Sequence, residues 1–171
     1  TDLAGLVPLL ESDDAKVQAV AARLLGEAGV VKAEAGLARL ATESPDDAVR
    51  FAAAIGLGSL VRPEHRPTPE PTRKLVAATA GADPFLVHAA VRHWVRLEQA
   101  TLNRPEPGPV SAPLQALSRD TDPNVRFATA LALRHLRHPF LTNLFSDGDP
   151  RVVIAAGRAI HDAPVVAGMP G

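Results

Sequence analysis

An all-α fold, a right-handed superhelix of about five stacked helix pairs, is what this sequence predicts, and three observations predict it. An Asp-led pattern of small and large apolar residues begins at Asp14, Asp46, Asp83, Asp122 and Asp149, at spacings of roughly 27–39 residues, the period of two-helix repeat arrays. The fullest copy, Asp122-Pro123-Asn124-Val125-Arg126-Phe127-Ala128-Thr129-Ala130-Leu131-Ala132-Leu133, opens with an Asp suited to an N-cap and a Pro suited to the first helical position. The chain is 46% hydrophobic but only 4% aromatic, so its core must be a ribbon of Ala and Leu.

Taken in order, residues 3–11 predict a short first helix, and Ser12-Asp13 turns the chain into a second over 14–28 that stops near Gly29. The next pair falls at 31–42 and 46–60, broken by Ser44-Pro45. Residues 62–71 hold too many prolines for a helix interior and predict an extended surface connection. A third pair follows at 71–80 and 84–100. A second proline-rich insert, Asn103–Pro109, precedes a fourth pair at 111–118 and 123–137 and a fifth at 139–145 and 150–162. The repeats therefore divide as 2–29, 30–61, 70–101, 111–138 and 139–165 within one domain spanning 1–171.

Aligning the second helices of the pairs gives columns. Val17, Val49, Leu86, Val125 and Val152 form the first. Five residues on, Ala22, Ala54, Val91, Ala130 and Gly157 are small enough for close helix packing. Eight residues on, Leu25, Leu57, Trp94, Leu133 and Ile160 are the large core residues, which makes Trp94 a core anchor rather than a stacking platform for a ligand. Positions two and six after the first column should face outward, and there the chain places Ala19/Arg23, Phe51/Ile55, His88/Arg92, Phe127/Leu131 and Ile154/Arg158. A helix face turned to water is normally polar. The apolar members of this stripe predict either a contact surface or a register in which they belong to the core.

The pattern Asp-x-x-Val-Arg followed by a small-residue helix, complete at Asp122–Arg126 and Asp46–Arg50, resembles a HEAT repeat array of the short, phycobilisome-lyase-like type. At the Arg position the other copies hold Gln18, Val87 and Val153. Two segments, Asp83–Val91 and Asp149–Val165, are similar to the HEAT region of the PVC-type haem-binding CxxCH multidomain proteins, which join a sugar-dehydrogenase-like propeller, a HEAT array and a cytochrome-like domain. That resemblance implies an exported, periplasmic redox protein of which this chain is the helical spacer. It carries over no haem ligand, because the haem motif has no counterpart here.

Chemistry finds no address in the sequence: no catalytic, cofactor-binding or metal-ligating residue is assigned. With no cysteine, disulfides, thiolate catalysis and Cys-ligated zinc are excluded within the chain. His135 and His138 are three apart and His88 and His93 five apart, but no His-Glu-x-x-His pattern or completing carboxylate accompanies them, so all four read as solvated or helix-end histidines. Asp13-Asp14 and Asp46-Asp47 sit at helix starts, where they cap free N–H groups. Arg50 and Arg126 are expected to bridge to the start aspartates of adjacent repeats. A formal net charge of −1 disfavours a nucleic-acid partner, and no apolar run approaches the ~20 residues that span a bilayer. The ends, Thr1-Asp2 and Pro170-Gly171, read as cuts from a longer protein, so localisation stays open.

The function this supports is a non-catalytic scaffold for a protein partner or a neighbouring domain of the parent chain. Its contact residues are Phe51, Ile55, His88, Arg92, Phe127, Leu131, Ile154 and Arg158. Two alternatives stand beside it. A lyase resembling HEAT-like bilin lyases would hold a tetrapyrrole with His88, Arg92 and His135. A nucleic-acid binder resembling HEAT-like DNA glycosylases would use Arg92, Arg96, Arg134, Arg137 and Arg158.

Overall fold

Each of the five repeated aspartates caps a helix. Asp14 accepts the N–H of Lys16, Asp83 that of Phe85, Asp122 that of Asn124 and Asp149 that of Arg151, each at 2.8 Å. Asp46 accepts two, from Ala48 and Val49 at 2.8 and 3.1 Å. A carboxylate at this position satisfies N–H groups that the helix cannot, and it complements the positive end of the dipole. The computed structural model describes residues 3–62, 65, 69–78, 83–102 and 112–161.

The chain runs through a 3₁₀ segment at Ala4–Glu11, α1 (Ala15–Ala28), a 3₁₀ turn at Val31–Ala33, α2 (Glu34–Glu43), α3 (Asp47–Leu60), α4 (Pro69–Ala78), α5 (Pro84–Leu102), α6 (Ala112–Leu117), α7 (Pro123–His135), a 3₁₀ segment at Pro139–Leu144 and α8 (Pro150–His161). The Asp-capped helices α1, α3, α5, α7 and α8 touch in series. The first members of the pairs pack on them as a second layer, α2 against α3, α4 against α5 and α7, and Pro139–Leu144 against α7 and α8. The result is an all-α solenoid.

Three elements differ from the sequence expectation. The first members of the first and last pairs are 3₁₀ rather than α. Ala4–Glu11 contains Pro8, whose missing N–H removes an α-type bond from the middle of so short a run. Helix α4 begins at Pro69, earlier than expected, because prolines at 69 and 71 fall within a first turn whose N–H groups have no helical partner anyway. Of the connection ahead of it, Arg62 and His65 exchange two backbone bonds at 2.9 and 3.1 Å; residues 63–64 and 66–68 lie outside the described residues. The insert Asn103–Pro109 and the end of the fifth repeat, 162–165, lie outside them too.

The core is the expected aliphatic ribbon. Val49, Leu86, Val125 and Val152 are buried, as are Leu25, Leu57, Trp94 and Leu133. Trp94 is 2% exposed and offers no face for a ligand to stack on. In the small column Ala22, Ala54, Val91 and Ala130 are buried, but Gly157 is exposed, with open space where its Cβ would lie. A small residue is required there only when another helix follows, and none does among the described residues.

Helix α1 meets α3 through two glycines that lie outside that column. A Cβ built on Gly26 would run into the backbone of Gly56, its carbonyl oxygen only 2.7 Å away, and one built on Gly56 would lie 2.7 Å from the Ala22 carbonyl oxygen. The two helix backbones are in direct contact, which no side chain larger than hydrogen permits.

Candidate partner-binding site

The outward stripe divides in two. Phe51 (37% exposed) and Ile154 (54%) reach solvent, as do His88, Arg92 and Arg158. Ile55, Phe127 and Leu131 are half-buried and pack against the core. Ile55 and Leu131, six places after a buried residue, stand about 120° from it on the helix flank. Phe127, two places after Val125 and so nearly opposite it, is instead part-covered by Arg151 of α8, which lies over its ring.

Phe127 and Leu131 of α7 and Ile154 and Arg158 of α8 line one cleft of about 220 Å³, together with Arg134 and Arg151. Leu131 and Arg134 also line a second cleft, of about 630 Å³, that continues along α7 to Arg137, His138 and the 3₁₀ segment with Leu141 and Phe145. Four of the eight expected contact residues thus share one groove. His88 and Arg92 flank it from α5, the His88 and His135 rings lying edge to face with centroids 6.5 Å apart. Phe51 and Ile55 sit farther along the solenoid on α3 and line neither cleft.

The groove is apolar on its floor and basic on its rim. From Pro123 to His161 the sequence holds five Arg against two Asp. Both acids are engaged: Asp149 pairs with Arg151 at 2.7 Å, and Asp147 takes Arg126 through two bonds at 2.7 and 3.0 Å. Arg151 also lies over the Phe127 ring, 5.8 Å from its centroid. Conversely, residues 1–60 hold nine acids against five bases, so the near-neutral total conceals an acidic first third and a locally basic stretch from Pro123 to His161. Of the rim cations, Arg134 and Arg137 are among those the sequence offered for nucleic-acid contact, and the local excess of arginine is the signal by which Arg151 could have joined them.

Arg126 does not reach the start aspartate of the next repeat. It binds Asp147, two residues earlier, and donates to the Asp120 carbonyl oxygen at 2.8 Å. Asp147 in turn accepts the Asp149 N–H at 2.8 Å, and Asp120 does the same for Asp122 at 3.0 Å while pairing with Arg73 at 2.9 Å. Ser12 and Ser44 fill this place in the first two repeats, accepting from Asp14 and Asp46 at 3.2 and 3.3 Å. Arg50 pairs with Asp47 of its own helix instead, at 3.2 Å. Hydrogen bonding by Arg126 holds the Asp147 carboxyl below the usual carboxylate range. The Arg126–Asp147 clamp fixes the loop before α8 and so the separation of the groove's two walls. Replacing Arg126 with Met is expected to cost about 2 kcal/mol in urea unfolding, since it strands a carboxylate whose side chain is only 7% exposed. An unchanged midpoint would show the clamp to be incidental.

Of His88, His93, His135 and His138, only His93 departs from the solvated or helix-end expectation. His138 is 8% exposed, and its Nδ1 accepts the Phe140 N–H at 3.1 Å, capping the 3₁₀ segment. His93 is wholly buried. His135 is exposed, yet partial desolvation and the nearby His88, Arg92 and Arg134 hold its pKa below the ordinary value. Among the described residues no three His, Asp or Glu come together in a way that could hold a metal ion, and no helix is long and apolar enough to cross a membrane.

A family profile described as HEAT repeats matches residues 3–94. No curated protein matches. Among solved structures, the crystal structure of an engineered protein is similar, with 22% identity, coverage of 94% of this chain and 78% of that one, and a TM-score of 0.48.

Proposed function

The chain belongs to the HEAT repeat family, and on that premise we propose that it is a non-catalytic scaffold that holds a protein partner, or a neighbouring domain of a longer parent chain, on the outward face of α7 and α8. HEAT repeats commonly form protein-interaction scaffolds. The observation that carries the reading to this face is the exposure of Ile154, 54%, beside Arg158 in a groove floored by Phe127 and Leu131. An isolated apolar side chain on a surface needs no explanation, but one that continues an apolar groove does. His88 and Arg92 extend the face across α5, and Phe51 and Ile55 extend it to α3.

The longer parent is proposed to be of the PVC-type haem-binding CxxCH kind, exported and redox-active, with this domain as its spacer. Support for that narrower reading is the sequence likeness of Asp83–Val91 and Asp149–Val165 alone. The gene's full reading frame tests it: a Cys-x-x-Cys-His downstream is expected, and its absence removes the reading.

Hydrogen exchange tests the scaffold itself. Amides of α7 and α8 are expected to exchange more slowly in the whole parent protein than in this chain alone, with Ile154→Asp abolishing the difference. Equal exchange in both would remove the neighbouring domain as occupant and leave only a separate protein partner for this face.

A further inference from the structure

We propose that the occupant of the α7–α8 groove is an acidic amphipathic helix of a protein partner, its apolar side laid on Leu131, Ile154 and Phe145 and its carboxylates set against Arg137 and Arg158. This rests on the scaffold reading above and specifies the partner's chemistry. Charge complementarity carries it. The two clefts adjoin, sharing Leu131 and Arg134 in their linings, and no acidic residue lines either of them. Among the described residues Arg137 and Arg158 make no ion pair.

The backbone supplies an independent observation. Arg137 is the one non-glycine at positive φ among the described residues, at 51°. It stands fifteen residues after the capping Asp122, as Gly29, with φ 70°, stands fifteen after Asp14. Both close their helices with the same bonds: Val30 N–H reaches the Leu25 carbonyl and His138 N–H the Leu133 carbonyl, each at 3.0 Å. Glycine takes this left-handed cap without penalty, whereas a residue with a Cβ is strained there. The fourth repeat thus places a strained arginine on the groove's rim where glycine would serve the backbone better. Strain of this kind collects at binding sites.

An apolar floor flanked by cations suits a helix that presents apolar residues at i, i+3, i+4 and i+7 with acids on either side. It suits duplex nucleic acid poorly, because phosphates would gain nothing from Leu131, Phe145 and Ile154. Opposite charge also speeds encounter and sets orientation.

The test is fluorescence anisotropy with a labelled, Leu-and-Glu amphipathic helical peptide. Its controls are a scrambled peptide of the same composition, a fluorescent duplex DNA and a tetrapyrrole dicarboxylate. The amphipathic peptide is expected to bind at least tenfold more tightly than the scrambled one. Arg158→Glu and Ile154→Asp, both at exposed positions, should each weaken it at least tenfold. Arg137→Gly is the decisive variant: it should raise the melting temperature by relieving the backbone, yet weaken the peptide severalfold. Equal binding of the scrambled peptide, tighter binding of the duplex or the tetrapyrrole, or indifference to Arg137→Gly would each overturn the proposal. Should no peptide bind while Ile154→Asp still releases α7 and α8 in the parent protein, the acidic helix falls and the scaffold face stands.

Discussion

Gly26→Ala is expected to be the most damaging small substitution in the protein, lowering stability by about 3 kcal/mol despite alanine's better helix propensity. Its new Cβ would meet the Gly56 backbone, with the carbonyl oxygen at 2.7 Å, and a backbone cannot rotate away as a side chain can. Relief requires α1 and α3 to separate, and with them the buried contacts of Ala22, Leu25 and Leu57. For a chain of this size the loss corresponds to roughly 6–12 °C in melting temperature. Gly58→Ala, in α3 itself, is the control. Its Cβ would find its nearest neighbours at 3.7 Å, ordinary contact, so it should stabilise the protein by ~0.5–1 kcal/mol. If both alanines behave alike, the close approach of α1 and α3 is wrong.

Acid is the second large effect. His93 is buried in the seam between α5 and α3. Desolvation there, with the charge of Arg96 adding to it, takes its pKa from 6.5 to about 4. Between those values the unfolded chain binds a proton that the folded chain refuses. Stability should therefore be level above pH 6.5 and fall as the pH drops toward 4, by about 3 kcal/mol in all. His135, shifted in the same direction, adds to the fall. The depressed carboxyls of Asp120 and Asp147 act lower, their contribution being lost as they protonate below the usual carboxylate range. Urea midpoints at pH 7 and pH 4.5 measure the effect, and His93→Gln should flatten the difference. A wild-type protein equally stable at both values would contradict the buried neutral imidazole.

What the sequence disclosed was what local geometry decides. The five capping aspartates could be read because a cap depends on three or four consecutive residues. The Val, Ala and Leu columns could be read because one helix's own periodicity defines them. Relations between helices were not legible in this way. Gly26 and Gly56 occupy different places in their helices, nine and seven residues after the first column, so no alignment of repeats puts them opposite one another. His93, seven after its column residue Leu86, lies against Gly58 of α3, a neighbour from another pair. The same limit applies to the groove. Phe127, Leu131, Ile154 and Arg158 were on the outward stripe, but their convergence depends on how α7 and α8 pack, and the register left open whether they belonged to core or surface. The structure leaves Phe127 and Leu131 half-buried and Ile154 and Arg158 exposed. The left-handed cap at Arg137 gave no sign at all, because arginine is not a residue that announces such a backbone.

A perturbation map by heteronuclear NMR tests the central claim most directly. On titration with the acidic amphipathic peptide, amide shifts should move in α7, Pro139–Leu144 and α8, centred on Leu131, Arg137 and Ile154. Those of α1 and α2 should stay in place. Shifts spread over the acidic first third, or none in the groove at saturation, would mean that partners are held elsewhere.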